Sequence, residues 1–426
     1  MQNVIFVIAD QMRWDALPCN GADFVQAPHF DRLAAAGTNF TCAYSGNPVC
    51  VPARGVLATG CYSHRCMSST ARNANSGTIV RTHIARHMKN QGYATYGFGK
   101  FHHLPYKSNP GFDVFELAEE GRIELMRHNG SLEDPAATED YLEYLRGHGL
   151  WGYQRAHGIG NNDARGGRSP LPAEHYVDAW STTRAIETLR QHVASRASQP
   201  FFLQLGWVKP HAPYDPPAPF DQMYDPRSIP KPWGSPEDMT GRNPMMPTLR
   251  FNYLIDQMSE AAIQYSRAHY FGLISFLDAQ MGRLLDALDE LGLRDNTLIV
   301  FTADHGDNLG DHGVFFKTVL TEGSAHIPLI VCPPGGSSGR VCHQPIGQED
   351  IVPTICDLAG VKPIADVDGR SIAPLLESPE AKHKPFVIAQ HGQGDRMTLM
   401  LREPRFKYCY ARYEGTEELY DMAADP

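Results

Sequence analysis

A cysteine, a proline and an arginine stand at close spacing in Asn47-Pro48-Val49-Cys50-Val51-Pro52-Ala53-Arg54, and a small-residue run from Gly55 to Gly60 follows. Proline suits the first turn of a helix, where no N–H partner is needed, so the pattern predicts Cys50 at or just before a helix N-terminus. Unpaired N–H groups and partial positive charge gather at such an end. Arg54, one turn on, returns its guanidinium to the same side, and its fork of donors matches a tetrahedral oxyanion. The combination is an anion site with a nucleophile in it. A buried free thiol in a capping loop would show the same letters, so a metal site and further cations elsewhere in the chain decide between the two.

Such groups recur at the ends of apolar runs. Asn3 to Ala9 leads into Asp10-Gln11, Gly92 to Gly99 into Lys100-Phe101-His102-His103, and Pro200 to Trp207 into Lys209-Pro210-His211-Ala212-Pro213. Thr297 to Thr302 leads into Ala303-Asp304-His305-Gly306-Asp307, with Lys317 on the loop beyond, and His326 to Val331 reads as a fifth strand. Continuous apolar runs mark strands buried on both faces of a parallel sheet. In open α/β sheets ligands bind at the carboxyl ends of the strands, so these polar residues are expected to converge at one edge. Asp10, Gln11, Asp304 and His305 offer two carboxylates, an amide oxygen and an imidazole, a largely hard-oxygen set suited to Ca²⁺, Mg²⁺ or Mn²⁺.

Cys-x-Pro-x-Arg followed by Leu57-x-Thr59-Gly60 resembles the signature of the type I sulfatases, in which the cysteine is oxidised after translation to formylglycine. Ala53 stands where most relatives carry Ser. The resemblance extends over nearly all of the chain, through Asp10, Gly99-Lys100-x-His102, Pro210-His211-x-Pro213, Thr302-x-Asp304-His305-Gly306 and Lys317 in the family's order. It implies an alkaline phosphatase-like α/β fold: a large, mostly parallel central sheet flanked by helices, with a smaller C-terminal α+β subdomain. It also implies one divalent metal, most often Ca²⁺, held by Asp10, Gln11, Asp304 and His305, and maturation by a formylglycine-generating enzyme. Gln11 stands where many sulfatases carry a second Asp and His305 where many carry Asn, which leaves Mg²⁺ or Mn²⁺ open. Phosphonate monoester hydrolases look similar at these positions.

The expected reaction is hydrolysis of a sugar, aryl or alkyl sulfate. Cys50 as formylglycine hydrates to a diol that attacks sulfur, with Asp304 available to take its proton. Arg54, Lys100 and Lys317 neutralise the equatorial oxygens, His211 protonates the departing alcohol, with Lys317 as a second candidate, and His102 takes the proton that lets sulfate go. Three rivals stand beside it: a phosphonate monoester or phosphodiester hydrolase on the same scaffold, a binuclear zinc phosphatase, which needs more His and Asp ligands than the sequence places, and an unmatured pseudoenzyme that only binds an anion. His64, Arg65, Cys61 and Cys66 read as structural, and His103, Asp307, Asp311 and His312 as pocket lining or plain loop polarity.

The 426 residues carry a formal charge of −10, which argues against a nucleic-acid or anionic-membrane surface. No run has the apolar length of a membrane span, and the short run before Asp10 is no signal h-region, so a cytoplasmic location is expected unless a signal has been removed. Nine cysteines with no Cys-x-x-Cys pair disfavour a disulfide framework. Helices are expected over Pro28 to Gly37, His83 to Asn90, Ala173 to Arg196, Ser259 to Leu291 and Asp350 to Leu358. Leu104 to Pro172 and Pro216 to Pro247 read as irregular. Phe386 to Ala389, Thr398 to Arg402 and Phe406 to Tyr413 suggest a small antiparallel sheet. The catalytic domain is expected over 1–340 and the C-terminal subdomain over 341–426.

Overall fold

The computed structural model describes residues 1–68, 78–103, 107–119, 139–239, 243, 245–337, 339–413 and 415–424. In chain order the first strands are β1 (Asn3–Asp10), β2 (Thr38–Phe40), β3 (Ala43–Tyr44), β4 (Ala94–Gly99) and β5 (Val114–Leu117). There follow β6 (Phe201–Pro210), β7 (Thr297–Ala303), β8 (His326–Ile327), β9 (Leu329–Cys332), β10 (Arg340–Cys342) and β11 (Ile346–Gly347). The last are β12 (Val387–His391), β13 (Thr398–Arg402), β14 (Phe406–Ala411) and β15 (Thr416–Asp421).

Eight of these make one sheet in the order β10-β2-β9-β7-β1-β6-β4-β5, and β11-β3-β8 make a small second one. β1 lies at the centre, parallel to β6 on one side and β7 on the other, and every residue along it is buried. The apolar runs therefore form the central strands, because only side chains without polar demands can be covered on both faces. β4 and β5 continue the parallel set beyond β6, and only β9 runs antiparallel to its neighbours β7 and β2. Pro28–Ala35, Val177–Arg196 and Glu260–Glu290 pack as one group of helices, and Cys50–Thr59 packs with Ile84–Asn90 and Ile351–Leu358. Each Leu, Ile or Phe fully buried in these layers contributes roughly 1.5–3 kcal/mol.

Several elements differ from expectation for identifiable reasons. The run from His326 to Val331 is not one strand: it breaks at Pro328, with β8 pairing β3 in the small sheet and β9 pairing β7 and β2 in the large one. Proline has no N–H for a ladder, so the chain changes sheets there. The helix expected from Ala173 begins at Val177, after a separate turn over Ala173–His175. Leu104 to Pro172 contains edge strand β5 and the helix Asp140–Gly147; residues 104–106 and 120–138 of it lie outside the described residues. The antiparallel sheet runs β12-β13-β14-β15, one strand more than expected. β15 alternates partly covered with exposed residues, including Glu417 and Leu419, the pattern of an edge strand. β10, which starts at Arg340, and β11 after it pair with β2 and β3.

Candidate active site

Because β1, β4, β6 and β7 are parallel neighbours, their carboxyl ends deliver Asp10, Lys100, His211 and Asp304 to one edge. Backbone packing sharpens the delivery. Gly99 and Gly206 face one another across β4 and β6, and a Cβ on Gly99, which has φ 91°, would meet Gly206 O at 2.0 Å. Only glycine allows this approach, and it lets Lys100 N donate to Gly206 O at 2.7 Å where the chain turns.

Cys50 is the first residue of the helix Cys50–Thr59, capped by extended Val49 and ended at Gly60 in the left-handed region. Its Sγ lies 3.2 Å from His305 Nε2 and 3.7 Å from Asp10 Oδ1, all three side chains being buried. Arg54 Nε donates to Asp304 Oδ2 at 2.9 Å, and its Nη2 pairs with Asp10 Oδ2 at 3.2 Å. Lys100 Nζ sits 2.7 Å from the same Asp10 oxygen. Asp304 Oδ1 also accepts the backbone N–H groups of Gln11 at 3.0 Å and His305 at 2.9 Å. Asp304 is thus engaged by donors on both oxygens.

Burial opposes ionisation of Asp10, but Lys100, His211, Arg54 and Lys317 outweigh it and hold the carboxyl well below the usual range. Burial and the Asp10 charge push the Cys50 thiol up; Lys317, His305 and Lys100 outweigh them, so it ionises more readily than an ordinary cysteine. Burial pulls the His305 imidazole down, and the Asp304 and Cys50 charges more than restore it. Its Nδ1 donates to Gly306 O at 2.9 Å, which leaves Nε2 facing the sulfur.

Asp10, Cys50, Asp304 and His305 each offer an atom, all within 4.8 Å of one another. Two carboxylates, an imidazole and the residue-50 side chain, all buried, are a donor set that fits one divalent cation. Gln11, expected as the fourth ligand, stands beside this group. Its φ of 66° turns it so that the amide oxygen accepts from Lys317 Nζ and the amide nitrogen donates to Asp307 Oδ2 at 2.5 Å.

The remaining expected residues arrive by their own routes. Lys317 reaches the cluster through Gln11, and its charge acts on both Asp10 and Cys50. His211 is fully buried, and its Nδ1 donates to Ala212 O at 2.7 Å, so Nε2 is the atom through which it would exchange a proton. His102, buried two residues after Lys100, adopts φ 57°.

Some of the supporting residues carried no sequence signal. Asp307, read above as pocket lining or loop polarity, is a buried hub that also accepts from Tyr214 Oη at 2.5 Å and from the backbone N–H groups of Leu309 and Phe316. Gln348 donates to Asp304 O at 2.7 Å and Ala303 O at 3.0 Å while its oxygen accepts from Gly46 N at 3.2 Å, clamping the end of β7 to the segment that leads into Cys50. The bland readings hold for Arg65, which pairs with Asp366 and Asp368, and for Cys66, whose thiol burial pushes up to about 12.

The comparisons with known proteins converge on one family. The family model described as Sulfatase matches residues 2–361, and that of the N-sulphoglucosamine sulphohydrolase C-terminal region matches 310–426. An arylsulfatase of Clostridium perfringens is 29% identical over all of this chain and 88% of its own length. A choline-sulfatase of Rhizobium meliloti is 28% identical, again over all of this chain and 81% of its own. Among solved structures, the phosphonate monoester hydrolase of Agrobacterium radiobacter superposes with a TM-score of 0.83 at 24% identity, covering 100% of this chain and 90% of that one. That likeness fixes an alkaline phosphatase-like fold, and since the Sulfatase model runs through every strand end and the helix start that build the cluster, the chain belongs to the sulfatase family of sulfuric ester hydrolases.

Proposed function

We propose that this chain hydrolyses a sulfate ester to an alcohol and inorganic sulfate, using formylglycine derived from Cys50 and one divalent metal, Ca²⁺ by preference. The observation that carries the reading is the shared burial of the Cys50 sulfur, 3.2 Å from His305 Nε2, with the Asp10 carboxylate and the cations Arg54 and Lys100 around it. Asp10, Asp304, His305 and residue 50 would hold the metal, with Gln11 behind them. When bound, the metal supplies Lewis acidity at residue 50, and formylglycine supplies a carbonyl carbon that water can add to. Arg54, Lys100 and Lys317 stabilise charge on the sulfate oxygens from fixed positions, which costs no reorganisation during reaction. His211 gives a proton to the leaving oxygen through Nε2, and His102 accepts one as sulfate departs. Maturation requires a formylglycine-generating enzyme as a transient partner.

A phosphonate or phosphodiester substrate is the second reading. It is favoured by Gln11 and His305 at the metal cluster, and by a phosphonate monoester hydrolase of Silicibacter pomeroyi, 26% identical with a TM-score of 0.81 over 99% of this chain. Lys100 with His102 follows the sulfatase pattern and sets our order. The ratio of kcat/KM for an aryl sulfate to that for the matching aryl phosphonate tests it: a ratio well above one is expected, and faster phosphonate cleavage reverses the order. Mass spectrometry of the Cys50 peptide from protein matured in a competent host is expected to show the aldehyde.

A further inference from the structure

Of the groups around the site, Glu119 has the least obvious reason to be where it is. It follows β5 and lies at the edge of the parallel set, yet it is only 2% exposed. Its Oε1 accepts two backbone N–H groups, from Phe101 at 3.0 Å and from His102 at 2.7 Å. Its Oε2 is buried with no hydrogen-bond partner among the described residues. Burying a carboxylate is expensive, so one oxygen with two donors and another with none requires compensation.

That compensation comes from the turn it holds. His102 occupies the left-handed region at φ 57°, a conformation that is strained for a non-glycine residue. Two hydrogen bonds from consecutive N–H groups to one oxygen over-determine such a turn. On its other side, the Lys100 carbonyl accepts from Arg54 Nη1, the guanidinium that also binds Asp304 and Asp10. Lys100 itself reaches Asp10 at 2.7 Å. The three-residue turn is thus gripped by a carboxylate on its amides and a guanidinium on its carbonyl; burial raises the Glu119 carboxyl above its ordinary range, against the pull of the two amides, Lys100 and Arg54.

We propose that Glu119 is a positioning residue: by accepting from the Phe101 and His102 amides it fixes the left-handed turn that aims His102 and Lys100 into the site. The mechanistic consequence rests on the roles given above to Lys100 and His102. Glu119 itself need not touch substrate. What matters is an acceptor oxygen at that place, and an amide oxygen serves as well as a carboxylate.

Glu119→Gln and Glu119→Ala separate this from a general packing role. In Glu119→Ala the His102 ring resonances, followed by ¹⁵N-edited NMR, are expected to shift and broaden; inorganic sulfate binding by calorimetry weakens about tenfold, and kcat falls about 100-fold with KM changed far less. Glu119→Gln keeps the wild-type His102 resonances and stays within about threefold on the other two. Should the alanine variant not fold, Glu119→Asp, one methylene short of both amides, takes its place with the same expectations as alanine. Wild-type His102 resonances in the alanine or aspartate variant overturn the proposal, as does a glutamine variant impaired as badly as alanine. If the wild type neither binds sulfate nor cleaves sulfate esters, the functional reading fails, while the ring resonances still decide the role of Glu119.

Discussion

Two buried clusters, joined through Gln348 and Glu349, use the same parts in different ratio. At the strand ends, Asp10 and Asp304 have Lys100 at 2.7 Å on Asp10, Arg54 bridging both at 3.2 and 2.9 Å, and the His305 imidazole 4.0 and 3.7 Å away. One residue past Gln348, Glu349 and Asp350 share the single lysine Lys384, at 2.6 and 2.7 Å, with His383 Nε2 3.3 Å from Asp350. All four carboxylates are fully buried. The result differs sharply: Asp10 is held well below the usual carboxyl range, whereas Glu349 is pushed up to about 7 by burial and the Asp350 charge, against which Lys384 is not enough. Carboxylates stay charged out of water only where paired cations and hydrogen bonds repay their desolvation. The strand-end cluster meets that need, which a site for a metal and an anion requires; the second falls short, and serves to tie the segment at 383–384 to the helix Ile351–Leu358.

The largest expected effect comes from removing the bridging cation. Arg54→Met leaves Asp304 with only the His305 imidazole, 3.7 Å away, and Asp10 with Lys100 at 2.7 Å and the same imidazole at 4.0 Å. Breaking a buried pair in this way costs about 3–5 kcal/mol. Because the same guanidinium is assigned to the sulfate oxygens, kcat should drop on the order of 1,000-fold in whatever fraction folds. Denaturant melts and single-turnover rates on the matured enzyme check both; near-wild-type turnover would detach Arg54 from the chemistry. Lys384→Met, the matching change in the second cluster, should cost about 3 kcal/mol of stability yet leave kcat within about threefold, since Lys384 touches none of the reacting groups. A large kcat loss at unchanged stability would mean that the two clusters are coupled through Gln348.

This contrast between the clusters was half legible in the letters. Asp10, Lys100, His211 and Asp304 could be placed because each follows an apolar run, and parallel neighbours put those ends together whatever the loops do. Cys50 and Arg54 were placed by the proline and by helical spacing. Glu119 and Gln348 could not be, since each acts through backbone groups of Phe101, His102, Ala303 or Asp304, and a backbone amide leaves no mark in sequence. The orientation of Gln11 was hidden for the same reason: its partners Asp307 and Lys317 are 296 and 306 residues away. In the fold, long buried strands were read correctly, while the split at Pro328 and the four-residue edge strand β5 were too short to show a period.

The smallest effect, and the finest test of the ratio argument, is the pH dependence of the second cluster. Glu349 has a folded pKa of about 7, raised from an ordinary 4.5. A carboxyl raised on folding contributes stability that is fully present below its unfolded pKa and is lost as pH rises through the folded one. The wild type should therefore give up stability between about pH 5 and pH 8, and Glu349→Gln, which keeps an acceptor for Lys384 but cannot ionise, should not. Relative to wild type the glutamine variant gains about 1–3 kcal/mol over that range, so any advantage in Tm is greater at pH 8 than at pH 5.5. The matched change at the first cluster, Asp10→Asn, must run the other way: a carboxyl held low contributes stability above its unfolded pKa, and its loss leaves Lys100 and Arg54 short of a counter-charge throughout that range. A Glu349→Gln advantage that does not grow with pH would show that Lys384 and His383 suffice for both carboxylates, and would remove the difference between the two clusters.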